Sequence, residues 1–77
     1  MINVLLFAHL QEEAGQDRLE IDEEGMRVDE FKQMLEDRYK FTQLDQVMVA
    51  INEEFAFNND LINSGDTVAL IPPVSGG

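Results

Sequence analysis

The 77-residue chain contains no cysteine. That absence removes disulfides, thiolate metal sites and a cysteine nucleophile together, and it leaves a core without covalent staples and no sign of secretion. No apolar stretch approaches the ~20 residues needed to cross a bilayer, and no charged-then-apolar leader opens the chain, so a cytoplasmic protein is expected. Basic residues are scarce, five against sixteen acidic ones, for a formal net charge of −11. Such a field repels nucleic-acid phosphates and anionic headgroups alike, so neither nucleic acid nor membrane is an expected partner, and partners should present basic surface. There is one histidine, His9, and no glycine-rich phosphate loop before a helix, so an autonomous active site would have to be built from carboxylates alone. A single histidine beside Leu10 reads as a surface or packed residue. The acidic groups Glu12-Glu13, Asp22-Glu23-Glu24 and Glu53-Glu54 lack the alternating spacing and central glycine of a calcium loop. They read as solvated faces, and no metal site or bound cofactor is expected.

What is present suits one small folded domain. A hydrophobic fraction of 44% is ordinary for a globular protein. The run INVLLF, Ile2 to Phe7, is polar only at Asn3 and fits a central strand buried on both faces. After AHLQEEAG, whose Gly15 can end a turn of helix, RLEI at Arg18 to Ile21 alternates as a half-buried strand does, giving an antiparallel hairpin with the first run. Val28, Phe31, Met34, Leu35 and Tyr39 then recur at three- and four-residue steps on one helical face. Asp29 and Glu30 in its first turn, with Arg38 and Lys40 at its end, match the helix dipole. VMVAI from Val47 to Ile51, FAF from Phe55 to Phe57 and TVALI from Thr67 to Ile71 read as three further strands, with NNDLINSGD as turns. A hairpin, one long helix and a second set of strands predict an α+β, ubiquitin-like β-grasp: a mixed sheet of about five strands packed on one helix, first and last strands parallel at its centre.

The chain then ends on PPVSGG. Pro72 and Pro73 cannot donate to a sheet ladder, so the last strand must stop and the chain must leave it extended. The expected division is a globular core over residues 1–71 and an extended tail over 72–77, within a single domain. A Gly-Gly end alone is equally well a frayed terminus or an expression scar. Directly after a strand and a rigid proline spacer it reads instead as a presented end, because Gly76 and Gly77 leave the terminal carboxylate open from every side.

GDTVALIPPVSGG, Gly65 to Gly77, closely resembles the end of the small, sulfur-carrying subunit of molybdopterin synthase; LLFAHLQEEAG resembles that family's start and VMVAINEEF its middle strand. Members often carry a basic residue near Gln11, which this chain lacks. The resemblance implies a sulfur carrier in molybdenum cofactor biosynthesis. The Gly77 carboxylate is adenylated by an E1-like activating enzyme using ATP and magnesium, converted to a thiocarboxylate by a sulfur donor, and threaded into the large subunit of a heterotetrameric synthase. Its sulfur there builds the dithiolene of molybdopterin from cyclic pyranopterin monophosphate. Gly77 is then the reacting residue, and Gly76, Ser75, Val74, Pro73 and Pro72 present it. Phe55, Ile71 and Phe7 are the expected partner surface, with core packing the alternative for each and foremost for Phe7. The rim acids expected near the exit are Glu53, Glu54 and Asp66. A related carrier for thiamine thiazole synthesis, a ubiquitin-like modifier conjugated through Gly77, and a plain β-grasp binding module remain the alternatives.

Overall fold

The computed structural model describes residues 1–39, 41 and 44–73. Strand β1 (Ile2–Leu6) pairs antiparallel with β2 (Arg18–Ile21), and a short helix α1 (His9–Ala14) lies within their connection. β7 (Thr67–Ile71) runs parallel to β1, and β4 (Met48–Ile51) runs antiparallel to β7. β5 (Glu54–Ala56) closes a hairpin on β4 and forms the sheet's edge, giving the order β2-β1-β7-β4-β5. This is the expected five-stranded mixed sheet with the first and last strands adjacent and parallel at its centre. Helix α2 (Val28–Tyr39) covers one face.

The core follows from strand alternation. Ile2, Val4 and Leu6 are fully buried, as are Val68 and Leu70 beside them, and α2 adds Val28, Phe31 and Leu35. Burying a side chain such as Phe31 contributes about 1.5–3 kcal/mol, so this layer supplies the main drive to fold. The helix is anchored at its start by local bonding. Glu30 Oε1 accepts from the Arg27 N–H at 2.9 Å, as the acid of a capping box does. The N–H groups of Val28 and Asp29, orphaned by the helix start, donate to the carbonyls of Asp60 and Asn58 at 3.0 and 3.1 Å. Near its end Tyr39 stacks on Phe41, with ring centroids 5.6 Å apart.

Three details differ from the sequence expectation. β1 stops at Leu6, and its second face is half-open: Asn3 and Leu5 are only partly buried, because α2 covers one side of the sheet and nothing described covers the other. The turn-rich segment after Phe57 contains β6 (Leu61–Ile62), which pairs with β3 (Met26–Arg27) in a separate two-stranded sheet. A 3-10 turn (Leu44–Gln46) buries Leu44 between α2 and β4. Two-residue strands carry too little alternation to register as a pattern.

Candidate functional site

The sheet face away from α2 is built from the residues that alternate with the core. The pairing register aligns them in rows across the strands. Phe55, Ala50, Ala69 and Leu5 form one row, since Phe55 faces Ala50, Ala50 faces Ala69 and Leu5 faces Ala69. Met48 faces Ile71 in the next row. The same alternation extends that row by Phe57, one residue past β5, and by Phe7, one residue past β1. A third row, Asn52, Thr67, Asn3 and Glu20, is polar. β7 therefore runs from a polar end at Thr67 to an apolar end at Ile71, about 13 Å away at the strand rise. The chain leaves at the apolar end.

Exposure shows that these apolar side chains are a surface and not a second core. Phe57 is 77% exposed, Phe55 68%, Met48 47% and Phe7 43%. A cluster of large apolar side chains open to solvent on one face is the mark of an interaction surface. Phe55, Ile71 and Phe7 thus share one face. Core packing, the alternative weighed most for Phe7, is overturned by its exposure: β1 ends one residue earlier, and Ala8 turns the chain with φ 54° and ψ −129°. That backbone conformation is uncommon for a residue with a Cβ. Gln11 Nε2 donates to the Leu6 carbonyl at 2.8 Å, tying α1 to the end of β1 at the same corner. Gln11, near which members of the resembled family often carry a basic residue, thus braces this corner.

Met48 and Phe57 lie on the same exposed face and were not singled out from sequence. Their signal is the alternation itself: Met48 lies between buried Val47 and Val49, and Phe57 two residues after Phe55. The rim acids are misplaced in the sequence reading. Glu53 lies in the β4–β5 turn and Asp66 immediately before β7, both at the polar end with Asn52, and Glu54 sits beside that turn. The antiparallel pairing of β4 with β7 carries the turn away from the exit. At the exit end lie Asp45, three residues before Met48, and Asp17, whose carbonyl accepts from the Leu6 N–H at 2.9 Å.

Pro72 is buried and Pro73 exposed, so packing continues one residue past Ile71. Val74, Ser75, Gly76 and Gly77 lie outside the described residues. His9 opens α1 with its Nε2 atom buried and without a hydrogen-bond partner among the described residues. No group of three histidine or acidic residues placed to hold a metal occurs among the described residues. No described helix is long and apolar enough to cross a membrane.

Comparison with known proteins agrees with this geometry along nearly the whole chain. A molybdopterin synthase sulfur carrier subunit from Escherichia coli is 32% identical, over 100% of both chains. A putative molybdopterin converting factor subunit 1 from Pyrococcus furiosus superposes with a TM-score of 0.81 at 30% identity, covering 95% of this chain and 97% of its own. SAMP1 from Haloferax volcanii, a small archaeal modifier protein, gives 0.77 at 30% identity over 99% and 98% of the two chains. With the ThiS family matching residues 4–77, the terminal glycines included, this β-grasp chain belongs to the ThiS family and is a relative of the sulfur carrier subunits of molybdopterin synthase.

Proposed function

We propose that the chain is the sulfur carrier subunit of molybdopterin synthase and that its functional atom is the terminal carboxylate of Gly77. The observation that carries this reading is the placement of the exit. β7, held between β1 and β4 at the sheet's centre, delivers the chain to Pro72 and Pro73 beside the apolar row Phe57, Met48, Ile71 and Phe7. A partner that covers this row lies beside the point where the chain leaves β7. The relatives' name supplies the identity of the cargo, sulfur.

The chemistry follows from the weakness of a carboxylate as an electrophile. An E1-like activating enzyme transfers the AMP moiety of ATP to the Gly77 carboxylate with release of pyrophosphate, magnesium shielding the phosphates. The carbonyl carbon becomes electrophilic, and sulfur from the donor displaces AMP to leave a thiocarboxylate. This thiocarboxylate is the softer nucleophile; in the pocket of the large subunit its sulfur attacks cyclic pyranopterin monophosphate, and water then cleaves the acyl–sulfur bond, leaving the sulfur on the pterin and restoring the Gly77 carboxylate. Two rounds complete the dithiolene. Gly76 and Gly77 serve by having no Cβ, which lets the carbonyl approach both reactants. The chain itself contributes a tethered reactant and a docking face; the large subunit holds the catalytic pocket, and the pair assembles as a heterotetramer.

The modifier reading has one observation in its favour, the likeness to SAMP1. The two readings share carboxyl activation and differ in what receives the acyl or sulfur group. In a purified system of activating enzyme, sulfur donor, large subunit and precursor, the intact chain should gain ~16 Da on loading and return to its starting mass as dithiolene forms. A chain lacking Gly77 should do neither, with unfolding unchanged. Dithiolene formation by the truncated chain would overturn the proposal, and isopeptide adducts without dithiolene would favour the modifier.

A further inference from the structure

We propose that the outer edge of β5, together with the groove beside it, takes up an extended, basic segment of a partner protein as an added strand of the sheet. The surface is distinct from the terminal carboxylate, and the proposal stands whatever cargo Gly77 carries.

It starts from the hydrogen-bonding directions of β5. Ile51 and Glu54 face each other across the two-residue turn Asn52-Glu53, whose positive φ values of 52° and 72° make it a primed hairpin turn. In such a hairpin the flanking pair bonds to itself, so the next pair, Ala50 and Phe55, turns its backbone groups outward. For Ala50 outward means toward β7. The adjacent bond from the Asn52 N–H to the Thr67 carbonyl, 2.8 Å, fits that alternation. For Phe55 outward means away from the sheet, since β5 is the edge. The rung beyond it is closed locally: the Phe57 N–H donates to Asp60 Oδ2 at 2.7 Å, and the Asp60 N–H donates to the Phe57 carbonyl at 3.0 Å. One rung is sealed by a turn and its neighbour is left open, on an edge that proteins ordinarily protect.

A groove of about 330 Å³ runs along this edge toward α2, with Val28, Lys32, Val47 and Ala56 among its walls. A strand laid against Phe55 would place one residue over the open sheet face and turn its neighbours toward the groove, as the period of two requires. The groove is mainly apolar and suits an aliphatic side chain. Past Lys32 and Asn58 it meets a second hollow of about 200 Å³ with Asp29, Glu36 and Asp45 in its wall. Lys32, whose Nζ donates to the Val47 carbonyl at 3.0 Å, sets one positive charge against these three acids, so the hollow keeps a net negative charge. Glu53 and Glu54 stand at the opposite end of the edge. The occupant that fits has aliphatic residues at its centre and lysine or arginine on both flanks; main-chain bonds give affinity and the two hollows give selectivity.

The probe is the peptide acetyl-Lys-Arg-Val-Ile-Val-Arg-Lys-amide, titrated into the isotope-labelled full chain and followed by NMR. Saturable shifts at the amides of Phe55, Val28 and Lys32 are expected, with a dissociation constant on the order of 0.1–1 mM for so short a ligand. F55P removes the outward N–H without removing a rung shared with β4, so it should bind about tenfold more weakly. F55A keeps the N–H and should lose less. A peptide methylated on the backbone nitrogen of its isoleucine tests the same bond from the ligand side, whether or not F55P folds. Equal binding by the methylated peptide, or shifts spread over the acidic surface with none centred on β5, would overturn the proposal. A chain lacking Gly76 and Gly77 should bind the peptide unchanged, which separates this outcome from that of the sulfur-carrier reading.

Discussion

Phe57 and Phe7 lie at opposite ends of one row, and their exposures set what each replacement by alanine should do. Phe57 is 77% exposed in the isolated chain, so roughly three-quarters of the ~1.5–3 kcal/mol available from burying a phenylalanine is still unspent. Phe57→Ala should therefore weaken association with the synthase large subunit by about 1–2 kcal/mol, or ~5–30-fold in Kd, and lower unfolding free energy by only about 0.5 kcal/mol. Phe7 is 43% exposed, so a smaller share of its surface is left for a partner to cover. Phe7→Ala should divide its effect about evenly, near 1 kcal/mol on each equilibrium. Leu6, adjacent in sequence but 1% exposed, marks the other extreme: Leu6→Ala should cost about 2–5 kcal/mol of stability through lost burial and a cavity. Isothermal titration against the large subunit and urea unfolding of the free chain measure the two quantities. The reasoning fails if Phe57→Ala leaves the Kd unchanged, or if Phe7→Ala shifts binding more than Phe57→Ala does, because the row would then not be the contact.

Asn52 joins two turns: its Nδ2 donates to Asp66 Oδ1 and its Oδ1 accepts from the Thr67 N–H, both at 3.0 Å, while its own φ is 52°. Asn52→Ala should cost about 2 kcal/mol in urea unfolding, from two exposed hydrogen bonds and a left-handed backbone, whereas Asn52→Gly should recover roughly half by relieving the backbone; equal losses would disprove that division. A net charge of −11 should make association with a basic partner slow as salt shortens the Debye length below ~8 Å, with dissociation changing less. Because Asp45 lies at the exit end and Glu53 at the far end, Asp45→Asn should slow stopped-flow association more than Glu53→Gln, and the reverse order would move the docking surface to the polar end.

The large features of the fold were legible because each had a period. The α2 stripe from Val28 to Tyr39 and the alternation in RLEI and TVALI each repeat over several residues, and the structure contains all three elements. Pairing neighbours was harder to read. INVLLF is apolar at five of six positions, which suggested burial on both faces, yet α2 covers only one. Continuous hydrophobicity here reflects a core on one side and an exposed apolar face on the other, and a single chain's composition does not separate the two. β3 and β6 were missed because two residues show no period, and their pairing, Met26 with Ile62, spans a sequence separation that local patterns do not see. The placement of Glu53, Glu54 and Asp66 failed for a related reason. Their distance from the exit depends on β4 running antiparallel to β7, a fact of topology and not of spacing.

The position of β7 connects stability to function. As the central strand it has neighbours on both sides, parallel β1 and antiparallel β4, and its inward residues Val68 and Leu70 are fully buried. Strands paired on both sides open mainly with the whole domain, and β7 is paired on both sides as far as Leu70 and with β4 at Ile71. Its outward residues, Thr67, Ala69 and Ile71, are half-buried and change from polar to apolar toward the exit. One strand thus anchors the core with one face, changes from polar to apolar along the other, and sets where the chain departs. On the proposed function, a reactive carboxylate six residues past Ile71 would gain from such an origin, since every residue between anchor and reacting atom adds freedom that a receiving pocket would have to remove. Pro72 and Pro73 limit that freedom in the first two of the six by fixing φ near −65°, and burial of Pro72 extends the anchor by one more residue. On the same proposal the glycines stand at the last two positions, where the absence of a Cβ would serve approach.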